Sequence, residues 1–192
     1  MDENRRNHII RNFVSEDVLK IFHEYSLSLA MKDNLYSEAT KTYTTKHEVG
    51  IGHCIDIRAK DPFTEAMLKT YKEKISKVVK KELVSVASFY RIYGNDCKLD
   101  MHTDNLDYEW SATLCMGYKA PESWPLYIEK EPFYLEAGDC LIYQGAKDFH
   151  GRKPFKGSWQ SQVFLHYKEV KDGSDGEKNK QSDVGNEASK GL

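Results

Sequence analysis

The chain's clearest chemistry lies in six residues, Leu99-Asp100-Met101-His102-Thr103-Asp104. Side chains alternate along a strand with period two, so an H-x-D at a strand end presents an imidazole and a carboxylate on the same side. Those are two ligands for one metal ion. A second histidine from a distant strand would complete a set of two imidazoles and one carboxylate, which leaves three adjacent coordination positions open and suits non-haem Fe(II). His150, 46 residues after Asp104, is the candidate, because it follows Gly138-Asp139-Cys140-Leu141-Ile142-Tyr143, a turn and then a strand. The tripeptide alone also fits a surface pair or a packed core histidine. The same three ligands would equally suit Zn(II) and the activation of water.

Strands must bring these residues together, and the pattern supplies them after two helices. Ser15 stands as an N-cap before Glu16 and Asp17, and Val18, Ile21, Phe22, Tyr25 and Leu29 recur at helical spacing to about Met31. The second helix opens at Asp61-Pro62, cap then proline, and sets Met67, Tyr71, Ile75, Val78, Val79 and Leu83 on one face. Lys69, Lys72, Lys74, Lys77, Lys80 and Lys81 occupy the other, which reads as a solvated face. From Leu83 onward the pattern changes. LVSVASFYRIY stops at Gly94-Asn95-Asp96 and SATLCMGY at Lys119-Ala120-Pro121, and PLYIEK, FYLEAGDCLIYQG and SQVFLHYKEV follow. No helical stretch separates these strands, so a βαβ arrangement is excluded and a sandwich or jelly roll with helices packed outside is expected.

Composition bounds the partners. The 192 residues carry 28 basic and 30 acidic side chains, a formal charge of −2, so no global field recruits nucleic acid or an anionic membrane. No apolar run approaches the roughly 20 residues of a membrane span, and MDENRRNHII lacks the apolar block of a secretory signal, so a soluble, cytoplasmic protein is expected. Cys54, Cys97, Cys115 and Cys140 form no C-x-x-C pair and read as free thiols. From Lys171 to Leu192 there is no aromatic residue, and four glycines and nine charges leave little to bury. A single domain over 1–170 with a disordered polar tail over 171–192 is expected.

The order of these motifs resembles a family. Tyr93-Gly94, Leu99, His102-Thr103-Asp104, Ser111-Ala112-Thr113-Leu114, the turn Glu136-Ala137-Gly138-Asp139 and then His150 look like the 2-oxoglutarate and Fe(II)-dependent dioxygenases, in their prolyl-4-hydroxylase-like branch. The resemblance covers about Val84 to Tyr167. It implies an α+β fold, a double-stranded β-helix (jelly roll) with N-terminal helices packed outside. It carries over His102, Asp104 and His150 as ligands of Fe(II), with 2-oxoglutarate as cosubstrate, O2 as oxidant and ascorbate as the accessory reductant such a centre admits. The implied reaction hydroxylates a C–H bond of an amino acid, a peptide or another small molecule and releases succinate and CO2. Related halogenases replace the carboxylate by a small residue, so an intact Asp104 points to hydroxylation. The sequence does not name the substrate, and oligomeric state is not legible.

One departure stands out. The family places an arginine or lysine about ten residues after the last histidine to meet the distal carboxylate of 2-oxoglutarate, and here Gly157-Ser158-Trp159-Gln160 holds none. Arg152, two residues after His150 and so on the same strand face, is the expected replacement, with Lys153 and Lys156 as alternatives. Tyr93 resembles the tyrosine that helps hold the cosubstrate. His166 is expected to be a packed or outward-facing histidine rather than a ligand, and Trp110 and Trp124 to be packing rather than pocket walls. His47 and His53 carry no spacing argument. A zinc-dependent hydrolase and a non-catalytic jelly-roll binding module are the rival readings.

Overall fold

The structure, a computed structural model, describes residues 7–39, 42–43, 47–49 and 52–171. All but the first residue of the expected tail lies outside the described residues. In chain order the elements are β1 (His8–Ile10), α1 (Glu16–Lys32), β2 (Tyr36–Ser37), β3 (Thr42–Tyr43), β4 (His47–Val49), β5 (Gly52–Cys54), β6 (Asp56–Ala59) and α2 (Pro62–Val79). Then follow β7 (Leu83–Gly94), β8 (Lys98–His102), β9 (Trp110–Lys119), β10 (Leu126–Ile128), β11 (Glu131–Phe133), β12 (Cys140–Tyr143), β13 (His150–Arg152) and β14 (Trp159–Glu169).

The strands form two six-stranded antiparallel sheets, ordered β1-β12-β9-β14-β7-β6 and β11-β10-β13-β8-β5-β4, and a β2-β3 pair. The first, major sheet rests on β14, which pairs along its whole length with β7 and with β9 through residue 167. Alternation decides which way each β7 residue points. Tyr90 meets Phe22 of α1 edge-on at 5.5 Å, and Ser88 Oγ lies 2.9 Å from Thr64 Oγ1 of α2. Phe89, Arg91 and Tyr93 take the opposite face, toward the minor sheet. Phe89 lies edge-on to His166 at 5.6 Å and Tyr93 edge-on to Trp124 at 5.0 Å.

Both expected helices are present, α1 within a residue of its expected ends, but α2 stops at Val79 and Leu83, expected on its apolar face, instead opens β7 because Lys80 turns the chain into the left-handed region. In α2 the Asp61 side chain accepts from Phe63 N at 2.9 Å, Pro62 stands first, and Lys80 closes the helix in the left-handed region at φ 55°. Ser15 precedes α1 but makes no side-chain capping bond. Met67, Leu68, Ile75 and Val79 of α2 are buried, each such side chain contributing about 1.5–3 kcal/mol. Lys74 departs from the solvated-face reading, since its ammonium sits 3.9 Å above the Phe13 ring and donates to Phe13 O. β1 and β4 to β6, three or four residues long, escape a sequence reading because alternation needs a longer run to register.

The turn Glu136-Ala137-Gly138-Asp139 is structural. Asp139, 2% exposed, accepts from Glu136 N and Asn12 N and pairs with Arg11, so it ties the N-terminal segment to β12. Gly138 takes φ 93°, where a side chain is strained. All four cysteines are free and buried, and burial pushes the Cys54 thiol up to about 11 and Cys115 to about 12. No helix among the described residues is long and apolar enough to cross a membrane.

Candidate metal centre

His102 ends β8 and His150 opens β13, and the two stand directly opposite in the ladder, ring centroids 4.4 Å apart. The next register step is irregular: Arg152 pairs with Leu99, so Asp100 and Met101 of β8 face Gly151 alone. This bulge lets Leu99 and His102 both turn inward. It also demands Gly151, whose missing Cβ would come within 2.8 Å of Leu99 O and 2.9 Å of Met101 Cα and N.

Asp104 lies just past β8 rather than on it. Its backbone N–H donates to Gly145 O at 2.8 Å, and Ser111 Oγ donates to its Oδ2 at 2.7 Å. A Cβ on Gly145 would collide with both Oδ2 of Asp104 and Oγ of Ser111, so the close approach needs glycine. Asp104 Oδ1 is thereby turned to the histidines, 3.6 Å from His102 Nε2 and 3.6 Å from His150 Nε2. The ligand atoms of the three residues all lie within 4.8 Å of one another.

Both imidazoles are set the same way. His102 Nδ1 is 2.7 Å from Asp100 O and His150 Nδ1 is 2.8 Å from Asp148 O, in each case the carbonyl two residues earlier. A carbonyl accepts only, so each Nδ1 carries the proton and each Nε2 turns a lone pair toward Asp104. Burial holds the His150 imidazole below its ordinary pKa, which keeps it neutral. Burial would raise the Asp104 carboxyl, but the surrounding histidines and Ser111 outweigh it and hold the group well below the usual carboxylate range. Two imidazole Nε2 atoms and an anionic carboxylate oxygen on one side of a small space are a divalent-metal donor set with open positions opposite.

Behind Asp104 stands a support that sequence spacing does not reveal. With its proton given to Asp104, Ser111 Oγ accepts from His166 Nδ1 at 2.9 Å. His166 is therefore packed, as expected, but it belongs to the site. It stacks on Tyr108 at 4.2 Å, and burial lowers its pKa to about 4. Ser111 Oγ lies on β9 and His166 on β14, paired across the major sheet. Only the strand register connects them.

The cavity beside the ligands is about 260 Å3, walled by Phe89, Tyr108, Tyr143 and Phe164, and among the described residues one permanent cation, Arg91, reaches it. Arg91 escaped the sequence reading, although a signal existed: it shares parity with Tyr93 in an otherwise apolar run, FYRIY. Its Nη1 is buried without a hydrogen-bond partner, and its guanidinium carbon lies 5.9 Å from the Phe164 ring centroid.

Arg152 shares the face of His150, as alternation predicts, and is 3% exposed. Its Nη1 donates to Trp124 O at 2.5 Å and its guanidinium lies 4.8 Å over the Trp124 ring, but Nε and Nη2 have no partner. Tyr93 packs on the same indole, and its buried hydroxyl is also unpartnered. Gln160, at the place where the family carries its cation, and Gln162 are buried, each with one polar atom unpaired. Lys153 and Lys156 turn elsewhere. Lys153 covers the Tyr127 ring and Lys156 pairs with Asp96 at 2.5 Å on the surface. Trp110 donates to Glu169 and is core packing, and His53 is held by Asp96 O at 2.8 Å, away from the ligands. The His47 side chain lies outside the described residues.

No protein-family model matches the sequence, and no curated relative matches it. Solved structures do match in shape. A viral collagen prolyl hydroxylase from Paramecium bursaria Chlorella virus-1, solved as a 2-oxoglutarate complex, aligns with a TM-score of 0.59 at 11% identity, covering 87% of this chain and 98% of that one. A Pseudomonas putida prolyl-4-hydroxylase aligns at 0.59 and 10% identity over 88% of this chain and 95% of its own. HygX from Streptomyces hygroscopicus, solved with nickel and 2-oxoglutarate bound, aligns at 0.62 and 11% identity over 86% and 83%. With two facing antiparallel sheets and a His-Asp-His cluster between them, the chain has the jelly-roll fold of the 2-oxoglutarate and Fe(II) oxygenases.

Proposed function

We propose that residues 1–170 form one 2-oxoglutarate- and Fe(II)-dependent dioxygenase domain that hydroxylates a C–H bond of a small-molecule or peptidyl substrate. The observation that carries this reading is the convergence of His102 Nε2, Asp104 Oδ1 and His150 Nε2 within 4.8 Å, with both imidazoles fixed as Nδ1–H donors to their own strands. The buried, unpartnered donors beyond it support the cosubstrate. A guanidinium out of water without a counter-ion is costly, and a ligand carboxylate would satisfy Arg152 Nε and Nη2 together with the Tyr93 hydroxyl.

In this reading His102, Asp104 and His150 hold Fe(II), and the bound iron with 2-oxoglutarate and O2 supplies the oxidation of the C–H bond, with release of succinate and CO2. The chain's own residues do the rest. Ser111 keeps Asp104 turned through one oxygen, which preserves open positions for the other reactants. Arg152 and Tyr93 fix the far end of the diacid and so orient its chelating end. Phe89, Phe164 and Tyr143 keep water from the reacting centre. A zinc hydrolase would leave the donors at Arg152 and Tyr93 without a task.

The test is a titration of metal-free protein with Fe(II) under anaerobic conditions, followed by 2-oxoglutarate and then oxygen. Binding of both, with conversion of the cosubstrate to succinate, is expected. Binding of metal without any binding of 2-oxoglutarate would sink the proposal.

A further inference from the structure

The barrel interior contains more positive charge than the proposed cosubstrate neutralises. Among the described residues Asp104 is the one acid lining the cavity. Against its single negative charge stand Arg91, Arg152 and a divalent ion. A dianionic 2-oxoglutarate removes two of the surplus charges and leaves one. Both guanidiniums act on the Tyr93 hydroxyl, but only one of the two walls the cavity beside the ligands. Arg152 lies over Trp124 and is absent from the walls beside the ligands, whereas Arg91 lines the cavity that His102, Asp104 and His150 share. Arg91 comes from the middle of β7, between inward-facing Phe89 and Tyr93, and its facing residue on β14 is Gln162, an uncharged amide. Neither arginine forms an ion pair with a carboxylate among the described residues, and Arg91 Nη1 is shut off from water with no acceptor.

We infer that Arg91 is the receptor for a carboxylate of the substrate, so that the molecule oxidised at this site is an acid. This deepens the proposed function and rests on it. A monoanion matches the single leftover charge, and a guanidinium offers a carboxylate two parallel N–H donors at the edge of a small aromatic-walled space. At about 260 Å3 the cavity is at the small end of ligand sites, so beside a five-carbon diacid it admits a small acid or an acidic end group. Phe89, Tyr108 and Phe164 would pack the carbon skeleton, which carries the bond to be oxidised.

The experiment uses full-length protein loaded with Co(II) and 2-oxoglutarate without oxygen. The probes are acetate, isovalerate and benzoate, each paired with its amide, and the readout is paramagnetic relaxation of probe protons by cobalt. Calorimetry in parallel gives the affinity for 2-oxoglutarate. Stronger relaxation of the acids than of the amides is expected in the wild type. Arg91→Gln should abolish that preference while changing 2-oxoglutarate affinity less than threefold, and Arg91→Lys, which keeps the charge, should retain part of it. Where the glutamine variant does not fold, Arg91→Met against Arg91→Lys decides the same question. Equal relaxation of acids and amides in the wild type, or a preference that survives loss of the charge, overturns the inference and leaves the proposed function standing. A tenfold or larger fall in 2-oxoglutarate affinity in Arg91→Gln also overturns it, by assigning Arg91 to the cosubstrate. A wild-type protein that binds metal but no 2-oxoglutarate removes the proposed function and the inference together.

Discussion

Two neighbouring stretches of the barrel interior are built on opposite rules. Around Asp104 the chain's hydrogen bonds close on themselves: both Nδ1 atoms have carbonyls, Oδ2 has Ser111, and Ser111 has His166. Beyond His150, the donors Arg152 Nε and Nη2, Tyr93 Oη and Gln162 Nε2 are buried with nothing to bond. The first stretch is complete except at the atoms that face the ligand space, so it holds its shape without a guest. The second is left incomplete inside a folded core, where each unsatisfied group costs about 1–3 kcal/mol. Such a cost is tolerable in a folded protein when a ligand removes it. On the proposed function, the contrast separates a preset metal site from an anion site finished by its occupant.

The largest effect should come from breaking the closed stretch at its open atoms. His102→Ala, Asp104→Ala and His150→Ala should each lower Fe(II) or Ni(II) affinity at least a hundredfold, read by calorimetry, while circular dichroism shows a folded protein. Wild-type affinity in any two of the three would dissolve the site.

The incomplete stretch should respond differently. Arg152→Met should weaken 2-oxoglutarate binding roughly ten- to a hundredfold, the loss of about 1.5–3 kcal/mol for a charge-assisted contact, with metal affinity unchanged. The same variant, free of ligand, should melt no lower than wild type, because it removes an uncompensated buried charge. A large fall in its melting temperature would mean that Arg152 is part of the frame.

Ser111→Ala tests the support behind the carboxylate. Freed from its donor, Oδ2 should turn toward the metal, and metal affinity should fall about tenfold, as for other groups that orient ligands indirectly. The visible spectrum of the Co(II) form should change as the carboxylate takes a second position. An unchanged spectrum would reduce Ser111 to packing.

The smallest change concerns the bulge. Gly151→Ala pushes a methyl group against backbone atoms of Leu99 and Met101 that cannot step aside, at a cost of about 1–3 kcal/mol in thermal unfolding. The displaced His102 and His150 should bind metal more weakly, whereas an alanine at an exposed glycine would do neither.

How much of this was written in the sequence follows from how far each signal reaches along the chain. H-x-D is local, and the structure brings its imidazole and carboxylate together, though Asp104 lies past the strand and is aimed by Gly145 and Ser111 rather than by alternation. The placement of Arg152 on the face of His150 was legible because it stands two positions further on. The long strands and both helices showed in their hydrophobic periods. The Ser111–His166 link was not legible, because 55 residues separate its members and only the pairing of β9 with β14 joins them. Arg91 was overlooked for a different reason. A lone charge in an apolar strand reads as its solvent side until the opposite face is seen to be covered by helices, and α1 and α2 cover that face here.

The paired carbonyl bonds on the two histidines bear on metal choice in the cell. A donor set fixed before the ion arrives, with two imidazoles and one carboxylate, does little to discriminate among first-row divalent ions, whose intrinsic affinities rise from iron through nickel to copper. Protein made in a foreign host should therefore emerge carrying whatever ion was most available there. Its resting activity would report the growth medium, and stripping followed by anaerobic reloading with Fe(II) should reveal its own capacity.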